Sequence, residues 1–449
     1  MKRLQMTRIL KLRDQLRSSY WFVPSVIVLF SILAALLLIH VDQRYQSGRT
    51  LDPSWLFLSK AESARVILST IAASMITIVS LTFSMTIVVL TLASSQFGPR
   101  LLYNFMRDRA NQVALGVFLA CFVFCLIVLR AVQTGASEDF VPHLGLTGAL
   151  LFALFSIGML IFYIHHVADS IQATTVIANV RNELELIVDR MMPQKGEEQQ
   201  AEASEWIRLM RLMDDASIQV KAKNRGILQA IELEKLLQWA HENDLLLRLH
   251  RRPGQFTIQD APLFEVFPRE RVPLDQLPAL QASFRFGDQR TLVQDIEFAF
   301  QQLVEIALRA LSPGINDPFT AMSCMEELGS ALALVAKRGS QPRVLRDREG
   351  KPRLLIKAVD FEGLVDLAFN QVRQASHHHP AVMMRMLETI VAVASMVTNP
   401  EQRVVLRRHA VAIHSLAADS NMDPNDYRAL CDRFHSASEM LGGANGEVG

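Results

Sequence analysis

Four long apolar runs fill the first third of the chain, and no other feature constrains its fold as strongly. A hydrocarbon core about 30 Å thick needs about 20 apolar residues of helix to cross it. Trp21–Ile39, Val66–Ala93, Val113–Leu129 and Leu144–Ile164 each meet that requirement. The second run exceeds it, which predicts a helix that tilts or projects, and Arg130 can snorkel from the end of the third. The first run is too long for the apolar segment of a secretory signal. No small-x-small cleavage site follows it before His40 and Asp42, so it reads as a retained anchor.

Orientation follows from the basic residues of the short connections. Before the first span lie Lys2, Arg3, Arg8, Lys11, Arg13 and Arg17 against Asp14 alone. The second-to-third connection carries Arg100, Arg107 and Arg109, whereas the third-to-fourth holds Glu138 and Asp139. The expected topology has both termini on the cytoplasmic side of a plasma membrane. The fold class read from this pattern is an α-helical polytopic membrane domain of four transmembrane helices, N-in and C-in. A mostly α cytoplasmic α+β domain with a small β module follows it.

The second span is rich in hydroxyls. Thr70, Ser74, Thr77, Ser84, Thr91 and Ser95 recur at close to 3.5-residue spacing, which places them along one helix face. They are candidates for lining a pathway if several subunits surround an axis. The competing reading is helix packing, the commoner use of Ser and Thr in membranes. No Asp, Glu, Lys or Arg lies deep in any span, which argues against a proton-coupled carrier. Four spans are few for a pore within one copy, so conduction would need a homo-oligomer.

Behind this span Gly98-Pro99 breaks the helix, and 99–109 reads as a short amphipathic helix in the headgroup plane. Arg100, Arg107 and Arg109 would then sit at the membrane interface near lipid phosphates. His165 and Asp169, one turn apart at the inner end of the fourth span, are read as boundary polar residues rather than metal ligands. No second pair completes a site.

A formal net charge of +1 gives no reason to expect nucleic acid as a partner, and no basic region with interleaved aromatics occurs. The four cysteines form no CxxC pair, so neither a zinc site nor a disulfide framework is indicated, and no cofactor is expected. Cys121 and Cys125 share a face inside an apolar run, where packing is the default. No nucleophile elbow, HExxH or phosphate cradle is present, so an enzyme is not expected.

The rest of the chain reads as segments. A basic cytoplasmic N-terminus covers 1–19 and the transmembrane domain 20–169. A helical connector over 170–224 continues the fourth span to about Met192, with a further helix over Ala201–Asp214. A small β-containing module covers 225–289. Its expected strands are Ile227–Leu233, Leu245–His250 and a hairpin of Phe256–Ile258 with Leu263–Phe267, plus Ser283–Phe286. A helical domain spans 290–441, beginning with Thr291–Leu311. There Asp317-Pro318 gives an N-cap and first-turn proline after the Ser312-Pro313-Gly314 stop. Arg290, Asp295, Glu305, Arg309, Asn316 and Asp317 are candidates for a polar cytoplasmic site, against the plainer reading of Ser312–Thr320 as an interhelical turn. His377-His378-His379 reads as a solvated loop, Arg338–Lys357 as a loop or hairpin, and 442–449 as a disordered tail.

Two stretches carry a family resemblance. Leu92-Ala93-Ser94-Ser95-Gln96-Phe97-Gly98-Pro99-Arg100-Leu101-Leu102, running on through Phe105-Met106-Arg107-Asp108-Arg109-Ala110-Asn111-Gln112, is one. Arg290-Thr291, Gln294-Asp295 and Gln302-Leu303-Val304-Glu305-Ile306-Ala307 through Arg309-Ala310-Leu311-Ser312-Pro313-Gly314-Ile315-Asn316-Asp317-Pro318 is the other. They resemble a family of bacterial predicted membrane proteins grouped as domain of unknown function 2254. The resemblance implies a bacterial inner-membrane, multi-pass protein and supplies no catalytic residue. The expected function is an oligomeric channel-like permeation protein with a cytoplasmic assembly or gating domain. The alternative is a membrane-anchored sensor or scaffold that binds a small ligand or protein through that domain.

Overall fold

The four apolar runs of the first third all fold as helices, which satisfy their backbone polar groups within each segment. The computed structural model describes residues 21–48, 61–98, 108–133, 140–192, 199–214, 216–339 and 341–442. The chain divides into two compact units, Met1–Thr175 and Val176–Gly449.

The first unit contains α1 (Phe22–Gly48), α2 (Ala61–Phe97), α3 (Arg109–Ala131) and α4 (His143–Ser170). The other three all pack on α3, whose small residues permit it. A Cβ at Gly116 would lie 2.8 Å from Ile27 Cδ1 and 3.0 Å from Pro24 Cα, so glycine sets how closely α1 approaches. Ala114, Ala120, Cys121 and Cys125 are buried on the same helix, and both cysteines are free thiols. A few polar links join the helices. Ser31 Oγ donates to the Ala120 carbonyl at 2.8 Å, and Arg65 donates to the Val132 carbonyl at 3.1 Å. Asp42, at the end of the first apolar run, is buried and accepts the Leu144 and Gly145 amides at 3.1 Å each. It therefore caps α4 from another helix, satisfying donors that the helix itself leaves open.

The expected helix over 99–109 lies outside the described residues except at its end, as do Arg100 and Arg107. Asp108 is the N-cap of α3, accepting the Ala110 amide at 2.8 Å, and Arg109 is the first residue of α3. The fourth span does not run unbroken to Met192 either. The chain turns at Ile171–Gln172 before α5 (Ala173–Met191).

The second unit takes in most of α5, followed by α6 (Gln199–Met213), then β1 (Ile218–Lys221), β2 (Gly226–Ile231), α7 (Leu233–Glu242) and β3 (Leu246–Leu249). Next come β4 (Phe256–Thr257), β5 (Pro262–Phe267), the short α8 (Leu277–Gln281) and β6 (Phe284–Gly287). Helices α9 (Ile296–Ala310) and α10 (Pro318–Arg338) precede the hairpin of β7 (Val344–Arg346) and β8 (Pro352–Leu355). The described part ends with α11 (Phe361–Ala375), α12 (Pro380–Met396), α13 (Pro400–Ala418) and α14 (Pro424–Met440).

The strands form two sheets, β1-β5-β3-β8-β7 and β4-β2-β6, antiparallel except for the parallel β3/β8 pair. The expected β4–β5 hairpin does not form. β4 pairs with β2, and β5 lies between β1 and β3. Adjacency along the chain misled here because burial decides the pairing: four of six β5 residues are buried, so β5 occupies an inner position. The larger sheet also draws on β1 and the β7–β8 hairpin, which lie outside 225–289. Leu228, Leu247, Phe264 and Phe284 belong to one buried cluster, in which the Phe264 and Phe284 rings stack at 5.3 Å.

Helix starts follow a repeated rule. Asp317, Asn399 and Asp423 each cap a helix whose first residue is proline, accepting the amides of Thr320, Glu401 and Asn425. Helix α9 starts at Ile296 instead of Thr291, because the Asp295 side chain caps it by accepting the Phe298 amide.

Among the described residues five helices are long and apolar enough to cross a membrane: the four of the first unit and α10. α10 differs in carrying two acids, Glu326 paired with Arg385 and Glu327 with Arg181, and in packing against α9 and α12.

Candidate functional site

Helix α2 has two unlike faces. Ala61, Ala64, Leu68, Ala72, Met75, Thr82, Ala93 and Phe97 are its buried residues. All six hydroxyl candidates, Thr70, Ser74, Thr77, Ser84, Thr91 and Ser95, are exposed. At 3.6 residues per turn the six occupy an arc of about 100°, centred about 180° from the buried strip. Five of the six, all but Ser84, turn their hydroxyls back to their own helix. Thr70 donates to Val66 O at 2.7 Å, Ser74 to Thr70 O at 2.8 Å and Thr77 to Ala73 O at 2.9 Å. Thr91 and Ser95 bond to Val88 O and Leu92 O. A helix can therefore show these residues to a low-dielectric surrounding at little cost. Thr86 is different: its Oγ1 lies 2.8 Å from Tyr163 Oη, which donates to the Thr82 carbonyl at 3.1 Å. That group joins α2 to α4 on the buried side.

A second polar contact lies at the start of α3. Asp108 Oδ2 is 2.5 Å from His166 Nε2, and the imidazole stacks on Phe162. Asp108 thus ties the end of α4 to the N-terminus of α3. His165 and Asp169 pair at 3.2 Å with both side chains exposed.

The six polar candidates of the second unit fall into two groups at opposite ends of α9, about 20 Å apart at 1.5 Å per residue. At its C-terminal end Glu305 and Arg309 pair at 3.7 Å along the helix. Asp317 caps α10, taking the Thr320 amide at 3.1 Å and hydroxyl at 2.6 Å, and Asn316 adopts φ 51° in the turn between the helices. Asp317 and Asn316 thus serve the turn between the two helices.

At the N-terminal end, Arg290 makes a two-pronged bond to Asp295, Nε to Oδ2 and Nη2 to Oδ1 at 2.7 Å each. Its third nitrogen donates to Gln301 Oε1 at 2.5 Å. Arg252 donates to Glu297 at 2.6 Å. The Arg252-Pro253-Gly254 turn presses on this network: a Cβ at Gly254, where φ is +90°, would lie 2.2 Å from Asp295 Oδ2. Beside it is a cavity of about 230 Å³ whose lining includes Arg190, Arg251, Arg252, Gln294, Asp295 and Lys357. Residues 251–253, Arg190 and Lys357 were not candidates from sequence. They come from three distant stretches, and the Arg251-Arg252-Pro253-Gly254 turn was the one local signal.

Among the described residues one trio, His241, Asp347 and Glu349, lies close enough to hold a metal ion. Asp347 there already receives Arg353 at 2.7 Å and His241 at 2.9 Å, so an arginine occupies the place of a cation.

The family model described as "Predicted membrane protein (DUF2254)" matches residues 17–392. The chain belongs to this family. "Uncharacterized protein MT1328" of Mycobacterium tuberculosis is 28% identical to this DUF2254 member over 435 residues, covering 95% of this chain and 82% of the relative. "Uncharacterized protein Mb1321c" of Mycobacterium bovis shows the same identity and coverage. No solved structure matches with significance. This DUF2254 protein is thus a predicted membrane protein with several apolar helices. The family match spans both the α2 stripe and the Arg290–Asp295 network.

Proposed function

We propose that α1–α4 are four membrane spans with both chain termini cytoplasmic in a bacterial inner membrane. Several copies then assemble so that the hydroxyl face of α2 lines a shared, channel-like pathway. The observation that carries this reading is the division of α2, with its small residues turned to its own bundle and its hydroxyls turned diametrically away. Bulky exposed residues such as Leu81 and Val88 share that outward arc and would form apolar constrictions along such a path. The test is conductance of purified protein in planar bilayers, paired with native mass spectrometry in nanodiscs. The reading expects a closed ring of subunits, and a current that Leu substitutions at Thr70, Ser74 and Thr77 abolish. A silent, correctly assembled protein, or a monomer, overturns it.

A second reading, a membrane-anchored sensor or scaffold, is favoured by the basic cavity of the second unit. It predicts binding without current. Neither reading assigns a catalytic step.

A further inference from the structure

Arginine side chains in a folded interior are ordinarily met by carboxylates or carbonyls, and the cavity beside the Arg290–Asp295 network departs from that rule. Asp295 is its one lining carboxylate, and both of its oxygens are held by Arg290. Arg252 is matched by Glu297. Arg190, Arg251 and Lys357 have no carboxylate partner among the described residues. Arg190 donates only to the Val293 carbonyl, at 3.3 Å. The Nε atoms of Arg251 and Arg252 are buried and have no acceptor. The exposed Arg190 and Lys357, the half-buried Arg251 and two orphaned donors therefore border one concave place, which Leu233, Leu249 and Ile356 line with apolar surface.

We propose that this cavity binds a small organic phosphate, its dianionic group among Arg190, Arg251 and Lys357 and its apolar body against Leu249 and Ile356. A planar guanidinium presents paired donors suited to phosphate oxygens, and a second negative charge matches the surplus of positive ones. The volume of about 230 Å³ is below the roughly 300–1,000 Å³ of pockets that take drug-sized ligands, which restricts the body to a few carbons or one ring. Arg290 and Asp295 act as positioning residues, since they fix the 252–254 turn that carries the cationic wall. The site does not depend on whether α2 lines a pathway, because binding is read without current.

The experiment is calorimetry on the full chain in phosphatidylcholine nanodiscs, with phenyl phosphate, inorganic phosphate and phenol as probes. Phenyl phosphate is expected to bind about ten-fold tighter than inorganic phosphate, and phenol not to bind. The double variant Arg251→Gln/Lys357→Gln is expected to weaken phenyl phosphate by at least about ten-fold, with an unchanged ligand-free melting temperature. Lys357→Glu, at an exposed rim position, is the second variant and should weaken binding by a similar factor. Repeating the titration in nanodiscs that contain phosphatidic acid, whose phosphate is also a monoester, separates two sources of the same chemistry. Lost affinity assigns the site to a lipid phosphate, and unchanged affinity to a soluble one. Absence of phenyl phosphate binding, equal binding of phenol, or indifference to both variants overturns the proposal.

Discussion

The two units satisfy their polar side chains in opposite ways. In the first unit most hydroxyls of α2 bond to a carbonyl three or four residues back on their own helix. In the second, charged groups pair with one another, some across the fold, as Arg252 to Glu297 and Arg353 to Asp244, and some between neighbouring turns, as Arg290 to Asp295. A locally satisfied group can be replaced without disturbing a neighbour, whereas a cross-linking pair carries the architecture. The α2 stripe is therefore free to serve a function, and the Arg290–Asp295 pair is tied to the shape of the site it borders.

The largest test of this contrast is Asp295→Ala. It removes an N-cap and leaves the largely buried Arg290 without its partner, a loss of about 3–5 kcal/mol. Thermal unfolding of the full chain in detergent should show a large fall in Tm. A change within about 0.5 kcal/mol would mean that the pair is not architectural. Gly254→Val attacks the same place through the backbone and is expected to cost about 2 kcal/mol, from strain at φ +90° and overlap with Asp295.

In the first unit the comparable sensitivity lies in close approach. Gly116→Leu is expected to cost about 2 kcal/mol by driving α1 from α3. The few cross-helix polar bonds sharpen the comparison further. Tyr163→Phe removes the links from α4 to Thr86 and the Thr82 carbonyl, and should cost about 1 kcal/mol.

Legibility from sequence divides along a similar line. The apolar runs α1–α4 were readable because a span announces itself by local composition, and the Asp-Pro start of α10 by local cap chemistry. Strand pairing was not, since β4 and β5 choose partners by burial and not by adjacency, and β1 is only four residues of mixed pattern. Arg290 and Asp295 were readable as candidates because they are five residues apart. Their cavity was not, because Arg190, Arg251 and Lys357 meet only after folding. Asp42 looked like a polar residue ending a span, and its role as a cap for α4 depends on a contact 102 residues away.

Acid titration probes the second unit through two buried or half-buried histidines. Burial holds the His409 imidazole below its usual pKa, with Asp366 opposing, and burial likewise lowers His250 against Glu265. A histidine depressed in the folded state binds its proton more readily when unfolded. Its stability contribution is thus complete above about pH 6.5 and declines as pH falls through that value toward the folded pKa. Chemical denaturation of the full chain between about pH 7.5 and 5.5 should show falling stability, and His409→Gln should flatten the slope. An unchanged slope would mean that this imidazole takes up its proton alike in the folded and the unfolded chain.

The smallest expected effect on stability is also the most informative about α2. Replacing Thr70, Ser74, Thr77 and Thr91 together with Ala deletes four hydroxyls whose bonds stay within their own helix. Alanine is the better helix former and offsets what the lost hydroxyls contributed, so unfolding should move by no more than about 0.5 kcal/mol in all, in either direction. Oligomer size by native mass spectrometry should be unchanged, because a pathway wall contributes polarity and not contact. Conductance, in contrast, should fall. If the same variant instead dissociates the oligomer, the hydroxyl face is a packing surface between subunits, and the pathway must be sought elsewhere. The two outcomes separate on one preparation, since the first leaves mass and Tm intact while the second changes both.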